Sequence, residues 1–137
     1  MTRVYADMVA DLFHRGHVEF LRKAKSLFDE TYLIIGVHSD ETVASYKRKP
    51  IFTMSDRVAI VGSCKYVDEV IEDAPLRLTE KFIEDHKIQV VIHGDDMSEF
   101  FKECYHVPLE LGIMRLLPYY NEISTTQIIE MVKTCPK

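Results

Sequence analysis

Two histidines separated by two residues are the first side chains of this sequence that could carry chemistry. His14 and His17 lie in the run Asp11–His17, between an apolar segment and a stretch whose apolar residues recur at helical spacing. Backbone N–H groups and the positive end of a helix dipole favour anions at such a junction. Gly16 allows a ligand to approach the backbone closely, and imidazoles donate hydrogen bonds in both charge states. The pattern predicts a polyphosphate site; the alternative is that each histidine is a helix cap or a surface residue.

Three consecutive hydroxyl residues form a second candidate group near the other end of the sequence. Ser124, Thr125 and Thr126 precede a segment whose apolar residues again recur at helical spacing. One hydroxyl at that position is an ordinary N-cap, but three in a row exceed what capping requires. We expect the two histidines and these hydroxyls to converge on one ligand.

Strand-like and helical segments alternate along the sequence, with no internal repeat and no low-complexity linker. Such alternation predicts an α/β fold: a Rossmann-like, doubly wound parallel sheet of about five strands in a single domain spanning residues 1–137. In such a sheet, ligands bind beyond the carboxyl ends of the strands, where the strand order reverses. The predicted strands are Arg3–Met8, Tyr32–His38, Val67–Ile71, Val90–His93 and Ile113–Leu117, and the predicted helices are Gly16–Leu27, Ser39–Tyr46, Ser55–Ser63, Leu78–Asp85, Ser98–Tyr105 and Thr125–Lys133.

Composition limits the classes of function. The 137 residues are 47% hydrophobic, enough for one buried core, and the net charge of −5 argues against a general nucleic-acid binder, which needs a basic face. The sequence shows no long apolar segment and no charged-then-apolar leader, so we expect a cytoplasmic protein that does not bind membranes. Cys64, Cys104 and Cys135 lack the spacing of metal ligands, so we expect reduced thiols and no metal bound by the protein itself.

Several short motifs occur in the order found in a known family. From Val4 to about Val132 the chain resembles the cytidylyltransferases of the H-x-G-H nucleotidyltransferase superfamily. This group includes the choline-phosphate, ethanolamine-phosphate and glycerol-3-phosphate cytidylyltransferases. The matching segments are Tyr5–Asp7, Asp11–His17, Gly36–Glu41, Tyr66–Val70, Ala74–Pro75, His93–Asp96 and Ile123–Thr126.

The resemblance implies an enzyme that transfers CMP from CTP to a phospho-alcohol, with Mg²⁺ accompanying the nucleotide and pyrophosphate as the second product. The attacking phosphate is already ionised near neutral pH, so the site must supply positioning and positive charge rather than a general base. The implied catalytic residues are His14, His17, Lys47 and Arg57. The residues implied to contact the nucleotide are Met8, Val9, Asp11, Gly16, His93, Asp95, Ile123, Ser124, Thr125 and Thr126, and those implied to contact the acceptor are Asp7, Tyr66 and Asp68.

The resemblance also implies a homodimer with Tyr66–Val70 and Ala74–Pro75 at its two-fold seam. Three of the implied site residues have a structural alternative. Asp11 either orients an imidazole or closes the turn between strand and helix, and Asp95 either contacts the nucleotide or forms a turn. Tyr66 either contacts the acceptor or belongs to the core.

Departures from the family pattern leave the activity open. Met8 stands where the family usually has glycine, and Tyr119 and Glu122 stand where it has arginine and glycine. Loss of that arginine removes a charge-assisted partner of a phosphate. Its replacement could be Arg48, Lys49 or Arg115. The alternatives to an active cytidylyltransferase are a catalytically impaired nucleotide-binding or scaffold protein, and an enzyme that uses another nucleotide such as ATP.

Overall fold

The fold is built on a five-stranded parallel sheet, in a computed structural model that describes residues 1–118, 120 and 122–136. Tyr119, where the sequence departs from the family pattern, lies outside the described residues, as does Asn121. The strands are β1 (Thr2–Met8), β2 (Thr31–Val37), β3 (Glu69–Glu72), β4 (Val90–Gly94) and β5 (Met114–Leu117). Their order is β3-β2-β1-β4-β5, which confirms the predicted doubly wound fold and makes β1 the central strand.

Helices cover both faces of the sheet. Leu21 and Val61 pack on one face, whereas Ile83 and Cys104 pack on the other. None of the helices in the described ranges is long and apolar enough to cross a membrane. The helices are α1 (Arg15–Lys25), α2 (Asp40–Ala44), α3 (Met54–Gly62), α4 (Glu80–Asp85), α5 (Glu99–Cys104), α6 (His106–Glu110) and α7 (Thr125–Thr134).

The central strands form because their residues are apolar on both faces. In β1 and β2, Val4, Tyr5, Leu33, Ile34 and Ile35 are all completely buried. A parallel strand covered by helices on two sides needs this continuous apolar run rather than an alternating one. The register pairs the last residues of β1 and β2 with each other, so the two strands end at the same edge of the sheet.

The predicted elements are found with bounds that differ by at most two residues, one short helix was not predicted, and two of these differences have a local cause. Helix α6 was not predicted, because it is a single short turn with Pro108 in its interior, which in a sequence indicates a break. The proline is tolerated because the N–H it lacks would have no partner inside the first turn. Strand β3 begins at Glu69 rather than Val67, since the Val67 N–H donates to Cys64 O and closes the turn after α3.

Candidate active site

A cleft of about 370 Å³ opens at the carboxyl edge of the sheet, beyond the ends of β1, β2 and β4. It lies at the central strand, where the strand order reverses and where α/β sheets bind ligands. Most of the residues singled out from the sequence line it together: Asp7, Met8, Val9, Asp11, His14, Gly16, His17, Lys47, His93, Ile123, Ser124, Thr125 and Thr126.

The turn from β1 into α1 has an unusual backbone. Ala10 and Leu12 have φ angles of 59° and 46°, a left-handed conformation that costs most side-chain-bearing residues free energy. Contacts to the chain on both sides hold it there. Arg57 Nη1 donates to Val9 O at 2.7 Å, and Thr125 Oγ1 donates to Asp11 O at 3.0 Å. The strained turn is therefore fixed by residues distant in sequence, and it sets the direction in which α1 begins.

His14 and His17 cap the start of α1. The Nδ1 atom of His14 accepts the Gly16 N–H at 2.9 Å, and the Nδ1 atom of His17 accepts the His14 N–H at 3.0 Å. An imidazole nitrogen that accepts a hydrogen bond carries no proton, so each neutral ring has its proton on Nε2. Both rings therefore hold one N–H donor that the capping interaction does not use.

Burial keeps these two rings neutral. Desolvation lowers the pKa of His14, and it lowers the pKa of His17 to about 4, helped by the neighbouring His14 and Lys47. The Asp11 carboxylate raises the pKa of His17, but desolvation lowers that pKa by more. At neutral pH the two rings are thus hydrogen-bond donors rather than cations.

Gly16 brings the two predicted motifs into contact. A Cβ atom at this position would lie 2.6 Å from His14 Cε1 and 3.3 Å from Ile123 O. The absence of a side chain lets the segment before α7 approach the histidine turn. The histidines and the hydroxyl cluster, more than 100 residues apart in sequence, consequently line one cleft.

The three hydroxyls at the start of α7 have different surroundings. Ser124 is the N-cap: its Oγ accepts the Gln127 N–H at 3.2 Å, while Gln127 Oε1 accepts the Ser124 N–H at 2.9 Å. Thr125 donates to Asp11 O and so ties α7 to the histidine turn. Thr126 is exposed on the cleft. Thr126 and the Ser124 hydroxyl proton are the groups of this cluster that can turn to a ligand.

Asp11 anchors the loop that carries Lys47. Its carboxylate accepts the N–H groups of Ile51 and Phe52 at 2.8 and 2.9 Å, and it contacts neither imidazole by a hydrogen bond. The carboxylate therefore ties the turn after β1 to the loop after α2, a role that neither sequence interpretation included. Lys47 lines the cleft from this loop, and desolvation together with Arg48 lowers its pKa.

Arg57, which the resemblance implies to be catalytic, does not line the cleft with the other three implied catalytic residues. Its side chain is completely buried. The guanidinium donates to Val9 O and His38 O at 2.7 and 2.8 Å and pairs with Asp40 at 2.6 Å. Because these oxygens follow the ends of β1 and β2, Arg57 is a positioning residue that holds the two strand ends together.

Asp7, which the resemblance assigns to the acceptor, lies on the cleft in a group whose other members the sequence did not reveal. The Tyr105 hydroxyl donates to Asp7 Oδ1, and His38 Nε2 lies 3.3 Å from Asp7 Oδ2. The Tyr46 hydroxyl lies 3.2 Å from His38 Nδ1, and the ring of Phe101 completes this wall. These residues come from four separate segments, so no local pattern could have grouped them. The nearest signal was His38, directly after a predicted strand.

Tyr66 and Asp68 lie at the opposite edge of the sheet from the cleft. Asp68 accepts the Leu33 N–H at 2.7 Å and pairs with Lys25 at 2.6 Å. Leu33 is paired with Val4, four residues and about 13 Å before the end of β1. Tyr66 packs against the core, as its structural alternative predicted. Neither residue therefore lines the cleft with Asp7, the third residue implied to contact the acceptor.

The remaining predicted residues lie at the rim. Asp95 is exposed and does not line the cleft, whereas its neighbour Asp96 does. Met8 both lines the cleft and packs against the core, so the side chain that replaces the family glycine is accommodated without closing the site. Glu122 accepts a hydrogen bond from the Tyr120 hydroxyl at 3.0 Å, and Tyr120 lines the cleft.

The strand order and the helix start beyond β1 define a Rossmann-like domain with a cleft at its strand ends. The family described as "Cytidylyltransferase-like" matches residues 7–131, and the chain belongs to this family. The resemblance seen in the sequence is confirmed.

Relatives within the family include enzymes for two acceptors. The chain is 47% identical over 132 residues to choline-phosphate cytidylyltransferase A of Mus musculus, covering 95% of this chain and 36% of that protein. It is 40% identical over 135 residues to ethanolamine-phosphate cytidylyltransferase of Dictyostelium discoideum, covering 94% of this chain and 37% of that protein. The chain thus spans little more than a third of the length of these relatives.

A solved structure has the same fold. The lipopolysaccharide core biosynthesis protein from Thermoplasma volcanium GSS1 matches with a TM-score of 0.70 and 29% sequence identity, covering 88% of this chain and 99% of that one.

Proposed function

We propose that this chain transfers CMP from CTP to a phosphorylated alcohol and releases pyrophosphate. The observation that carries the proposal is the convergence of two neutral Nε2–H donors, at His14 and His17, with the Ser124–Thr126 hydroxyls on one cleft. Membership of the cytidylyltransferase-like family supports it. The departures at Met8 and Glu122 leave this cleft open, which favours an active enzyme over a scaffold.

The reaction needs no base. A phosphomonoester oxygen attacks the α-phosphorus of CTP, a new P–O bond forms, and the bond to the bridging oxygen of the β-phosphate breaks with its electron pair on pyrophosphate. The site must align two polyanions and stabilise charge that moves toward the leaving group. The Nε2–H groups of His14 and His17 donate to phosphate oxygens, and the Lys47 ammonium supplies positive charge from its anchored loop.

Mg²⁺ enters this proposal with the nucleotide. Within the described ranges, no three histidine, cysteine, aspartate or glutamate side chains are grouped so that they could hold a metal ion. The triphosphate itself offers the oxygen ligands that Mg²⁺ prefers. The ion neutralises part of the triphosphate charge when it is bound, and the protein's own residues position the phosphates.

The acceptor is proposed to carry an ammonium group. The Asp7 carboxylate lines the cleft and accepts the Tyr105 hydroxyl, and the Phe101 ring contacts the rings of both Tyr46 and Tyr105. A buried carboxylate with aromatic faces favours a small cation by charge and by cation–π attraction. This arrangement supports phosphoethanolamine or phosphocholine as acceptor over glycerol 3-phosphate, which has no cation.

The test is pyrophosphate release from a panel of CTP, ATP and UTP, each combined with phosphoethanolamine, phosphocholine and glycerol 3-phosphate. The proposal expects release with CTP and an amino-alcohol phosphate, and little with the other pairs. His14→Asn is the matched control, because asparagine caps a helix but lacks the Nε2 donor. Release with none of the pairs would favour a scaffold, and release with ATP alone would favour a different nucleotide specificity.

A further inference from the structure

The positive charges of the cleft are few. Of the lining residues within the described ranges, Lys47 and Arg48 alone carry a permanent positive charge. His14 and His17 are kept neutral by desolvation, and Arg57 is buried behind the strand ends. Two cationic side chains of the described part of the cleft are therefore available to bind a polyphosphate that carries three or four negative charges.

Arg48 differs from the other arginines of the sequence. Among the described residues it makes no ion pair, side-chain hydrogen bond or ring contact, whereas each of the other arginines has a partner. Arg57 pairs with Asp40, and Arg115 lies 4.9 Å from the ring centroid of Phe28. The others pair with glutamates: Arg3 with Glu69, Arg15 and Arg22 with Glu19, and Arg77 with Glu103. The one unpartnered guanidinium is thus the one on the cleft.

The loop of Arg48 is held at both ends. The Lys47 N–H donates to Val43 O at 3.0 Å and continues the turn of α2, while the Asp11 carboxylate holds the N–H groups of Ile51 and Phe52. Pro50, between these anchors, is buried and lines the cleft. The anchors place the Arg48 side chain at the cleft, and Lys49, the next residue, does not line it.

We propose that Arg48 binds the polyphosphate of the nucleotide and the pyrophosphate that leaves. A guanidinium presents several N–H donors in a plane that matches the oxygens of a phosphate, and with no carboxylate partner it loses no ion pair when the ligand binds. Lys47 and Arg48 then act together, the first as a point charge and the second as a directional donor. The inference rests on the proposed function for the identity of the nucleotide, but its core is a polyphosphate site.

The test measures binding of Mg²⁺–CTP, Mg²⁺–tripolyphosphate and CMP to the wild type, Arg48→Gln, Arg48→Lys and Lys49→Gln by calorimetry at one ionic strength. We expect Arg48→Gln to weaken the binding of CTP and of tripolyphosphate about tenfold, which corresponds to the loss of one charge-assisted hydrogen bond. The binding of CMP should weaken less than about twofold. Arg48→Lys should recover part of the loss. Lys49→Gln, which removes the same charge one residue away, should change each affinity less than about twofold.

The different ligands and variants of this experiment separate failure of this inference from failure of the proposed function. Equal losses in Arg48→Gln and Lys49→Gln would overturn the inference, since they indicate general charge attraction. No binding of tripolyphosphate to the wild type would also overturn it. Tripolyphosphate binding that depends on Arg48, in a protein that does not bind CTP, would support the inference and contradict the proposed function. Unfolding curves of all variants should coincide, because the Arg48 side chain has no partner to lose.

Discussion

The Nδ1 atom of His17 accepts the backbone N–H of His14 at 3.0 Å, so the second histidine of the pair fixes the residue that carries the first. His14 in turn accepts the Gly16 N–H through its own Nδ1. Both rings are therefore structural on one edge and available to a ligand on the other. An alanine substitution at either histidine therefore removes both the capping Nδ1 atom and the Nε2–H donor. Separate variants are needed to distinguish the two roles.

His14→Asn should separate capping from catalysis. The asparagine side-chain oxygen lies near the position of Nδ1 and is a good N-cap, so we expect stability within about 0.5 kcal/mol of wild type, whereas His14→Ala should lose about 1 kcal/mol. Both variants lack the Nε2 donor, so both should lose about a hundredfold or more in kcat. Urea unfolding and pyrophosphate release measure the two effects. Full activity in His14→Asn would contradict the assigned donor role.

The half-buried His17 ring should make the protein lose stability in mild acid. Its pKa is about 4 in the folded state and about 6.5 when unfolded, so the folded state binds the proton less readily. The stabilising contribution is present above pH 6.5 and is lost as the pH falls toward 4. We expect the free energy of unfolding of wild type to fall by about 2 kcal/mol more than that of His17→Asn between pH 7 and pH 4.5. Parallel pH profiles for the two proteins would refute the lowered pKa.

Thr125→Val should loosen the connection between α7 and the histidine turn. The substitution keeps the shape of the side chain but removes the hydrogen bond to Asp11 O, which spans 114 positions in sequence. We expect a loss of about 1 kcal/mol in stability and a rise in KM for CTP. Thr126→Val is the matched comparison, because Thr126 has no such bond to the turn and should leave stability within about 0.5 kcal/mol. An equal loss of stability in both variants would argue against a stabilising role of the hydrogen bond from Thr125 to Asp11 O.

Gly36→Ala should be strongly destabilising, and adding Tyr5→Phe should restore part of the lost stability. A Cβ atom at position 36 would lie 2.1 Å from the Tyr5 hydroxyl oxygen and 2.7 Å from Ala74 Cβ. The Tyr5 hydroxyl is buried and has no hydrogen-bond partner among the described residues. We expect Gly36→Ala to cost about 2–3 kcal/mol, and Tyr5→Phe alone to be neutral or stabilising.

Thermal unfolding of the double variant decides this prediction. It should be more stable than Gly36→Ala alone, because the closest clash is removed. Additive losses from the two single substitutions would show that the tyrosine hydroxyl and the alanine methyl group do not compete for the same space.

Asp7→Asn should weaken the binding of the acceptor more than the binding of the nucleotide. The substitution removes the negative charge at the aromatic end of the cleft while preserving the size of the side chain. We expect KM for the amino-alcohol phosphate to rise about tenfold or more, with KM for CTP changed less than about twofold. Tyr46→Phe, which keeps the ring and removes its hydroxyl, is the control and should have a smaller effect on the acceptor. Equal changes for both substrates in Asp7→Asn would count against an acceptor site at this end.

The sequence predicted the fold and one half of the cleft because both depend on local patterns. Strand β1 is a continuous apolar run, and the turn that follows it carries the histidine pair, so the end of this strand could be identified as an anion site. The hydroxyl run at Ser124–Thr126 also marked its own helix start. The prediction that the two groups converge needed only the rule that ligands bind beyond strand ends.

The differences between the predicted site and the structure share another cause, since they concern side chains whose partners are far away in sequence. Arg57 is a cation at a helix start in the sequence, but its hydrogen bonds to Val9 O and His38 O bury it behind the site. Asp68 precedes a strand rather than following one, which places it at the wrong edge of the sheet. Tyr105 reaches Asp7 across 98 positions, and nothing near it in the sequence indicates that contact.

The most direct measurement of the central claim is phosphorus NMR of the protein mixed with CTP, Mg²⁺ and phosphoethanolamine, with phosphocholine in a parallel sample. The account predicts that the resonances of CTP are replaced by those of inorganic pyrophosphate and of a diphosphate diester in equal amounts. His14→Asn should slow this conversion about a hundredfold or more. Unchanged CTP with both acceptors, or conversion at the same rate in His14→Asn, would contradict it.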